Sequence, residues 1–258
     1  MSRIREALEN KKSFIGFLTA GDPSIEKTEE FIIEMADAGA GLIEIGIPFS
    51  DPIAEGAVIQ AANIRALFAP GGCTTDMIFD MAARVSKRIN VPLVFLTYLN
   101  PVYKYGYEKF CKHCSESGVD GLIIPDMPFE EKSELQPSAR KYGVDIISLI
   151  APTSADRIQT IAREAEGYIY VVSSMGVTGV RSEITTDIDA IVKNIREVTD
   201  TPVAIGFGIS TPKQAEKYSR IADGVIVGSA IVKIIEKYGK EAGKYVHEYV
   251  GTMAEAVK

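Results

Sequence analysis

Residues 34–48 have the sequence EMADAGAGLIEIGIP, and the same pattern returns as CSESGVDGLIIPDMP at 114–128 and as ARKYGVDIISLIAP at 139–152. Each copy contains a polar helical stretch, a glycine, a short apolar run and a loop with proline. Gly39, Gly118 and Gly143 fit the position just after a helix, where a positive φ is cheap only for glycine. The repeated unit therefore predicts a helix followed by a buried strand.

Eight apolar runs of this kind occur along the 258 residues. They are nearly continuous, as expected of parallel strands that are buried on both faces. The stretches between them have a helical period; Ile25, Thr28, Phe31, Ile32 and Met35, for example, share one face. Eight strand–helix pairs predict a single α/β domain over residues 1–258, a (β/α)8 TIM barrel. The alternative, an open doubly wound sheet, is disfavoured because a G-x-G-x-x-G turn is absent. The predicted strands are Phe14–Thr19, Leu42–Ile47, Leu93–Thr97, Leu122–Pro125, Ile146–Ile150, Tyr168–Ser173, Val203–Phe207 and Gly224–Val227.

Three connections depart from the regular repeat. Pro48–Thr74 makes the gap after the second strand the longest and predicts a long loop there. The sequence SSMGVTGVRSEITTDI at 173–188 is rich in Gly, Ser and Thr, and predicts a mobile loop after the sixth strand. A short extra helix is predicted after the eighth strand. Barrels of this type have their active site at the carboxyl ends of the strands, where these segments lie.

Composition excludes several classes of function. The net charge is −7 and no dense Lys/Arg stretch is present, which disfavours binding to nucleic acid or to anionic membranes. The apolar runs are too short to span a bilayer, and the amino terminus does not resemble a signal peptide. Three cysteines form no disulfide framework, so a cytoplasmic location is expected.

The stretch Cys111-Lys-His-Cys114 has the spacing of a zinc half-site or a redox pair. Zinc needs four ligands, and the sequence offers no second Cys/His pair. Redox motifs lie at the start of a helix, whereas this one falls inside the predicted helix Tyr107–Ser117. We therefore interpret both cysteines as small apolar helix residues and predict no metal site.

Glycines at the ends of three consecutive strands predict a phosphate site. GFGIS at 206–210 ends the seventh strand, and VGSAIVKIIEK at 227–237 ends the eighth and begins a helix. Gly176–Gly179 follows the sixth. Glycine allows backbone N–H groups to approach an anion, and a helix amino terminus favours negative charge. The alternative is that these glycines only form tight turns.

Two carboxylates lie in and after the second predicted strand. Glu44 is inside the apolar run, where a carboxylate is costly unless it is hydrogen-bonded, paired or used. Glu55 ends a loop in which Pro48 and Pro52 restrict the backbone. Both carboxylates are candidates for general acid/base chemistry, while the alternative for Glu44 is that it anchors a neighbouring loop.

The motifs FIGFLTAGDP, IEIGIPFSDPIAEG, FLTYLNPV, IIPDMP, YIYVVSSMGVTG, GFGIS and GSAIVKIIE, in this order, resemble the tryptophan synthase α subunits over essentially the whole chain. The resemblance implies retro-aldol cleavage of indole-3-glycerol phosphate to indole and D-glyceraldehyde 3-phosphate. It also implies a pyridoxal-phosphate β subunit as partner in an αββα heterotetramer, with no cofactor on this chain. Asp51 and Pro52 match the loop that contacts the β subunit.

The same resemblance implies roles for individual residues. Glu44 matches the general acid/base, and Glu55 matches the acidic residue near the indole nitrogen. Tyr170 would position the catalytic carboxyl region, and Thr178 would hydrogen-bond the loop of Glu55. The expected indole and glycerol contacts are Phe17, Ile59, Leu96, Tyr98, Ile123, Asp126, Tyr170 and Thr178, and the expected phosphate contacts are Gly179, Phe207, Gly208, Gly228 and Ser229.

Two residues depart from the family pattern. Glu55 stands where many members have Asp, and Ala57 stands where a proline is usual, although neither change removes a functional group. Other phosphate-binding barrels stay open as alternatives, including an isomerase of phosphorylated sugars. Indoleglycerol-phosphate synthase would need a catalytic lysine at a strand end, and none is present there. A non-catalytic activator of the β subunit and a free-standing lyase are further alternatives.

Overall fold

A computed structural model describes residues 2–9, 11–152, 157–172, 187–206 and 208–258. Within these ranges, nine parallel strands form one sheet in the order β5-β4-β3-β2-β1-β9-β8-β7-β6. The strands are β1 Ser13–Thr19, β2 Leu42–Gly46, β3 Leu93–Leu96, β4 Val119–Ile123, β5 Asp145–Ile146, β6 Ser148–Ile150, β7 Ile169–Val172, β8 Val203–Gly206 and β9 Gly224–Val227.

The two edge strands of this sheet, β5 and β6, are consecutive in the chain. β5 pairs with β4, whereas β6 pairs with β7, and only Ile147 separates them. The Ile147 N–H still donates to the Leu122 carbonyl of β4, at 2.9 Å. One segment therefore joins both edges, and the sheet closes as the (β/α)8 barrel predicted from the sequence. The predicted strand Ile146–Ile150 is divided because its two halves pair on opposite sides.

Helices surround the strands. On α2, the five residues predicted to share an apolar face are all buried, and the Ser24 side chain caps the helix start. Gly39, Gly118 and Gly143 follow their helices with φ of 102°, 71° and 69°, as predicted. The helices are α1 Arg3–Leu8, α2 Ile25–Asp37, α3 Ala57–Leu67, α4 Thr75–Val85, α5 Leu99–Tyr105, α6 Tyr107–Glu116, α7 Lys132–Tyr142, α8 Ile158–Arg163, α9 Ile188–Arg196, α10 Pro212–Ser219, α11 Ser229–Tyr238 and α12 Gly243–Val257, with 3₁₀ turns at Phe129–Glu131 and Gly239–Glu241.

Two apolar cores follow from the alternation of side chains along each strand. Ile43 and Ile45 of β2 face outward and pack with the surrounding helices. Leu42 faces the barrel interior, where it clusters with residues such as Ile15 and with Ile4 of α1. Because side chains alternate with a period of two, Glu44 lies on the same interior face as Leu42, one layer nearer the carboxyl end.

The connection after β2 differs from its prediction. Pro48–Thr74 is not one long loop, because an irregular segment ends at Gly56 and α3 follows directly. α3 is apolar on most of its surface, so its sequence lacks the clear amphipathic period that marks α2. The short extra helix after the last strand is present as α11, ahead of the longer α12. The predicted mobile loop at 173–188 lies almost entirely outside the described residues.

Cys111 and Cys114 are both buried on α6, and their thiols are free. Among the described residues, no group of three or more His, Cys, Asp or Glu side chains has an arrangement that could hold a metal ion. None of the helices in the described ranges is long and apolar enough to cross a membrane.

Candidate active site

A cavity of about 370 Å³ opens at the carboxyl ends of the barrel strands. Its walls are mainly apolar, with a few polar groups directed into it, as is usual for a small-molecule site. Eleven of the residues singled out from the sequence line this one cavity: Phe17, Glu44, Glu55, Ile59, Leu96, Tyr98, Ile123, Tyr170, Gly208, Gly228 and Ser229.

Glu44 projects from β2 into the barrel interior and is 1% exposed. The Tyr168 hydroxyl donates a hydrogen bond to its Oε1 at 2.6 Å. Burial raises the pKa of the Glu44 carboxyl to about 8, although the Tyr168 hydrogen bond acts in the opposite direction. Glu44 therefore retains a proton at neutral pH, which suits a general acid.

Tyr168 was not singled out from the sequence. The resemblance pointed to Tyr170, which lines the cavity two residues further along the chain. A period of two places both tyrosines on the interior face, but only the structure tells which hydroxyl reaches Glu44. Gly206, at the end of β8, leaves the space that the Tyr170 ring occupies, because a Cβ there would collide with it.

Glu55 ends the loop after β2 and is 5% exposed. Asn63 of α3 donates from Nδ2 to its Oε2 at 2.6 Å, and Gln60 donates from Nε2 to its backbone carbonyl at 2.6 Å. Burial raises the pKa of the Glu55 carboxyl to about 7, against the opposing hydrogen bonds of Asn63 and Tyr98. Glu55 is thus divided between its neutral and ionised forms near pH 7, while Glu44 is mostly neutral.

The apolar wall beside these carboxyls contains a small cluster in which Phe17, Ile59, Ala62 and Val232 pack together and Leu96 joins. Ile123 extends the wall into the barrel interior. These side chains form an apolar surface of the kind that can hold an aromatic ring. The predicted apolar contacts are therefore brought to one place.

Another part of the cavity wall, beside Phe17, is formed by backbone. Gly228 and Ser229 line it at the start of α11, and no side chain caps that helix terminus within the described residues. Gly208 has a φ of +83°, a conformation that favours glycine. The first N–H groups of a helix have no partner within the helix, and together with the helix dipole they favour an anion here. The predicted phosphate contacts Gly179 and Phe207, and the predicted lid residue Thr178, lie outside the described residues.

Three other predicted residues do not line the cavity. Asp126 instead accepts a hydrogen bond from the Leu99 N–H at 2.8 Å and so holds the first residue of α5. Asp51 is exposed, Pro52 is partly exposed and Ile53 is 70% exposed on the loop that carries Glu55. This loop therefore has an outer face toward solvent and an inner carboxyl toward the cavity.

Two cations at the cavity wall were missed. Lys132 and Arg157 both contribute to the lining. Lys132 is buried, and its Nζ donates to the Glu164 carbonyl at 3.2 Å and approaches the Glu166 carboxylate at 3.7 Å. Burial lowers the pKa of this amine. Lys132 begins α7 in the sequence, where nothing distinguishes it from a surface residue.

Comparison with known proteins gives the family to which this site belongs. The family model for the tryptophan synthase alpha chain matches residues 4–258. The chain belongs to the tryptophan synthase alpha chain family. It is 48% identical over 257 residues to the tryptophan synthase alpha chain of Lacticaseibacillus casei, covering 100% of this chain and 96% of that one.

Solved structures agree in fold. The tryptophan synthase alpha subunit of Legionella pneumophila str. Paris superimposes with a TM-score of 0.88 at 34% identity, covering 100% of this chain and 98% of that chain. A structure of the tryptophan synthase α2β2 complex of Pyrococcus furiosus gives a TM-score of 0.86 at 36% identity, covering 93% and 97%. As a family member, the chain is a lyase of tryptophan biosynthesis that cleaves indole-3-glycerol phosphate to indole and D-glyceraldehyde 3-phosphate.

Proposed function

We propose that Glu44 is the general acid and base of this cleavage and that Glu55 stabilises the charge formed on the indole ring. The observation that supports both roles is the presence of two carboxyls in one mainly apolar cavity, with pKa values raised to about 8 and about 7. Such pairs of carboxyls with different environments often divide acid and base roles between them.

Glu44 starts the reaction in its neutral form. It gives its proton to indole C3, so that C3 becomes tetrahedral and the ring becomes a cation. The resulting Glu44 carboxylate then accepts the proton of the hydroxyl on the carbon attached to C3. The bond between these carbons breaks, its electrons restore the indole ring and the hydroxyl carbon becomes the aldehyde. Glu44 ends with its proton restored, as a general acid and base must.

Glu55 acts in its ionised form. Protonation of C3 makes the ring N–H acidic and positively charged, and a carboxylate beside this nitrogen lowers the energy of the cation. The interaction is stronger in the transition state than with neutral substrate, so it contributes to kcat. The apolar wall formed by Phe17, Ile59 and Leu96 would hold the ring between the two carboxyls.

The phosphate of the substrate is assigned to the start of α11. Gly228 and Ser229 supply backbone N–H groups there, and Gly208 allows close approach from the neighbouring loop. Gly179 and Phe207 are proposed as further contacts, and Thr178 as a partner of the loop of Glu55. Tyr98, Ile123, Asp126 and Tyr170 complete the proposed substrate-binding set, with Asp126 acting through the start of α5.

The partner is a tryptophan synthase β subunit, as in the α2β2 complex of the relative from Pyrococcus furiosus. We assign Asp51 and Pro52 to the contact, since they lie on the outer face of the loop whose inner face carries Glu55. Exposed Ile53 adds apolar surface beside them. A cytoplasmic location agrees with three free cysteines.

Glu44→Gln tests the central proposal. The amide is nearly isosteric, and its oxygen still accepts a hydrogen bond from the Tyr168 hydroxyl, but it cannot transfer protons. The kcat for indole release should therefore fall by about 10²-fold to 10⁴-fold. The Kd for indole-3-glycerol phosphate, measured by titration, should change little and serves as the control for folding. Retention of more than a few per cent of kcat would refute Glu44 as the acid and base.

A further inference from the structure

Helix α3 begins two residues after Glu55, and its side chains reach back toward that residue. Side chains on a helix tilt toward its amino terminus, so positions on the first two turns can contact the residue that precedes it. Gln60 and Asn63 lie three positions apart on one face and both bond Glu55. Gln60 holds the backbone, whereas Asn63 holds the carboxyl.

We propose that Asn63 is a positioning residue for catalysis, which fixes the Glu55 carboxyl in its ionised form over the indole site. This inference rests on the proposed role of Glu55. Asn63 itself touches neither substrate nor the reacting atoms; it acts through Glu55.

The contact between the two side chains is short and buried. The Nδ2···Oε2 distance is 2.6 Å, and Asn63 is 3% exposed. An ionised carboxylate only accepts hydrogen bonds, so the amide must present its N–H rather than its oxygen. A donor bonds a charged oxygen more strongly than a neutral one, and Asn63 therefore favours the carboxylate form that the reaction needs.

The other groups that face Glu55 cannot replace this donor fully. Tyr98, from the segment after β3, accepts a hydrogen bond from the Ala54 N–H at 3.2 Å, and its own hydrogen bond to Glu55 lowers the pKa of that carboxyl less than the bond from Asn63 does. Glu44, from β2, shares the same cavity as a second carboxyl. Among the residues that the structure describes, neither a Lys nor an Arg shifts the pKa of Glu55. Asn63 is therefore the main neutral dipole opposing burial.

The helix that carries Asn63 is itself fixed. Arg65 makes two parallel bonds to the Asp22 carboxylate, Nε to Oδ1 at 2.9 Å and Nη2 to Oδ2 at 2.8 Å, and Asp22 is 2% exposed. The Arg65 Nη1 also donates to the Glu236 carboxylate of α11 at 3.0 Å. α3 is thus held to the loop after β1 and to the helix at the phosphate end. A rigid support of this kind is what a positioning residue requires.

The test compares four single variants and one double variant. In Asn63→Ala, kcat should fall about tenfold or more, because a hydrogen bond to a charged group is lost. The acidic limb of the kcat profile should move about one pH unit upward, since the Glu55 carboxylate loses its donor. Alanine favours the helix, so α3 should still form. Asn63→Asp keeps the volume but replaces the donor with a second acid, and should lose at least as much kcat.

Gln60→Ala is the matched control, because it removes a donor from the same helix face to the same residue but not to the carboxyl. Its acidic limb should stay in place. In a Glu55→Ala background, adding Asn63→Ala should change kcat by less than about twofold, since coupled residues are not additive.

Four results would overturn the inference. An unshifted acidic limb in Asn63→Ala, or an undiminished effect of Asn63→Ala in the Glu55→Ala background, would make Asn63 a packing residue only. An unimpaired Glu55→Ala would remove the proposed role of Glu55, and the role of Asn63 with it. An impaired Glu55→Ala beside an unaltered Asn63→Ala would leave the proposed function intact and refute this inference alone.

Discussion

Glu44 and Glu55 line the same cavity but are supported by different parts of the molecule. Glu44 belongs to β2, whose backbone pairs with β1 and β3, and its hydrogen-bond partner Tyr168 lies 124 residues away. Glu55 lies outside the sheet, and its bonds to Gln60 and Asn63 span only five and eight residues. The barrel as a whole therefore fixes one carboxyl, whereas a single helix fixes the other.

This difference matches the work each carboxyl is proposed to do. A proton donor must keep a fixed distance to one ring carbon, which suits a strand deep in the sheet. A charge stabiliser attracts the ring nitrogen through space and tolerates a less exact distance, so support from one helix is sufficient. Burial raises both pKa values, but hydrogen bonds from Asn63 and Tyr98 oppose it at Glu55, whereas Tyr168 alone opposes it at Glu44, and the pKa of Glu55 is the lower of the two.

Shortening each carboxyl by one methylene tests the difference in support. Glu44→Asp should lower kcat by about 10²-fold, because the strand cannot move to restore the distance to C3. Glu55→Asp should lower kcat only about tenfold, or about 1.4 kcal/mol in barrier, since the attraction between a carboxylate and a cation weakens only gradually with distance. Steady-state kcat and KM for both variants check this. Equal losses, or a larger loss at Glu55, would contradict the assignment of the rigid role to β2.

The pH dependence of kcat/KM tests the order of the two pKa values. Activity requires Glu55 without its proton and Glu44 with it, so kcat/KM should rise through about pH 7 and fall beyond about pH 8. At pH 6 it should be about sixfold below its maximum, because only about a tenth of Glu55 is ionised there, against about three quarters at the maximum between the two pKa values.

Glu55→Gln provides the control for this profile. It should remove the acidic limb and leave the alkaline limb, which belongs to Glu44. A profile that stays bell-shaped in Glu55→Gln, measured between about pH 5.5 and pH 9.5, would assign the acidic limb to another group.

The sequence predicted the positions of the strands well, but it did not predict how the strands pair where the barrel closes. Apolar runs and glycines located the strands because burial and backbone conformation are local properties of a residue. The division of Ile146–Ile150 depends on which neighbour each half pairs with, β4 or β7, and that is set by the barrel. α3 was not predicted, and its residues were assigned to a loop, because its apolar residues surround the helix and do not line one face.

A site residue could be predicted from the sequence where its side chain would be energetically unfavourable at that position without a function. Glu44 stood out because a carboxylate interrupts an apolar strand. Tyr168 and Asn63 did not, since tyrosine and asparagine are ordinary in a strand and a helix, and their partners become visible only as distances. Asp126 stood out by its place after a strand and stays a predicted substrate contact, but that its carboxylate accepts the Leu99 N–H is visible only in the structure.

The smallest expected effect concerns the outer face of the loop that carries Glu55. Pro52→Gly adds about 0.4–1 kcal/mol of chain entropy to the unbound loop, which changes basal kcat by less than about fivefold. β2 and Glu44 should be unaffected, because Pro52 lies outside the sheet. Activation by the β subunit should fall further than basal kcat does, since the variant also removes a ring from the proposed contact.

The measurement is the ratio of kcat with saturating β subunit to kcat of the chain alone. A change at Glu55 alone alters both rates together and so has little effect on their ratio. A difference in this ratio between wild type and Pro52→Gly therefore reports on the outer face of the loop, where the partner is proposed to bind. Equal activation of the two proteins would refute Pro52 as a contact. A loss of basal kcat as large as that of Glu55→Asp would show that the proline holds the inner carboxyl rather than the partner. In that case the whole loop between β2 and α3 would be as rigid as these two elements.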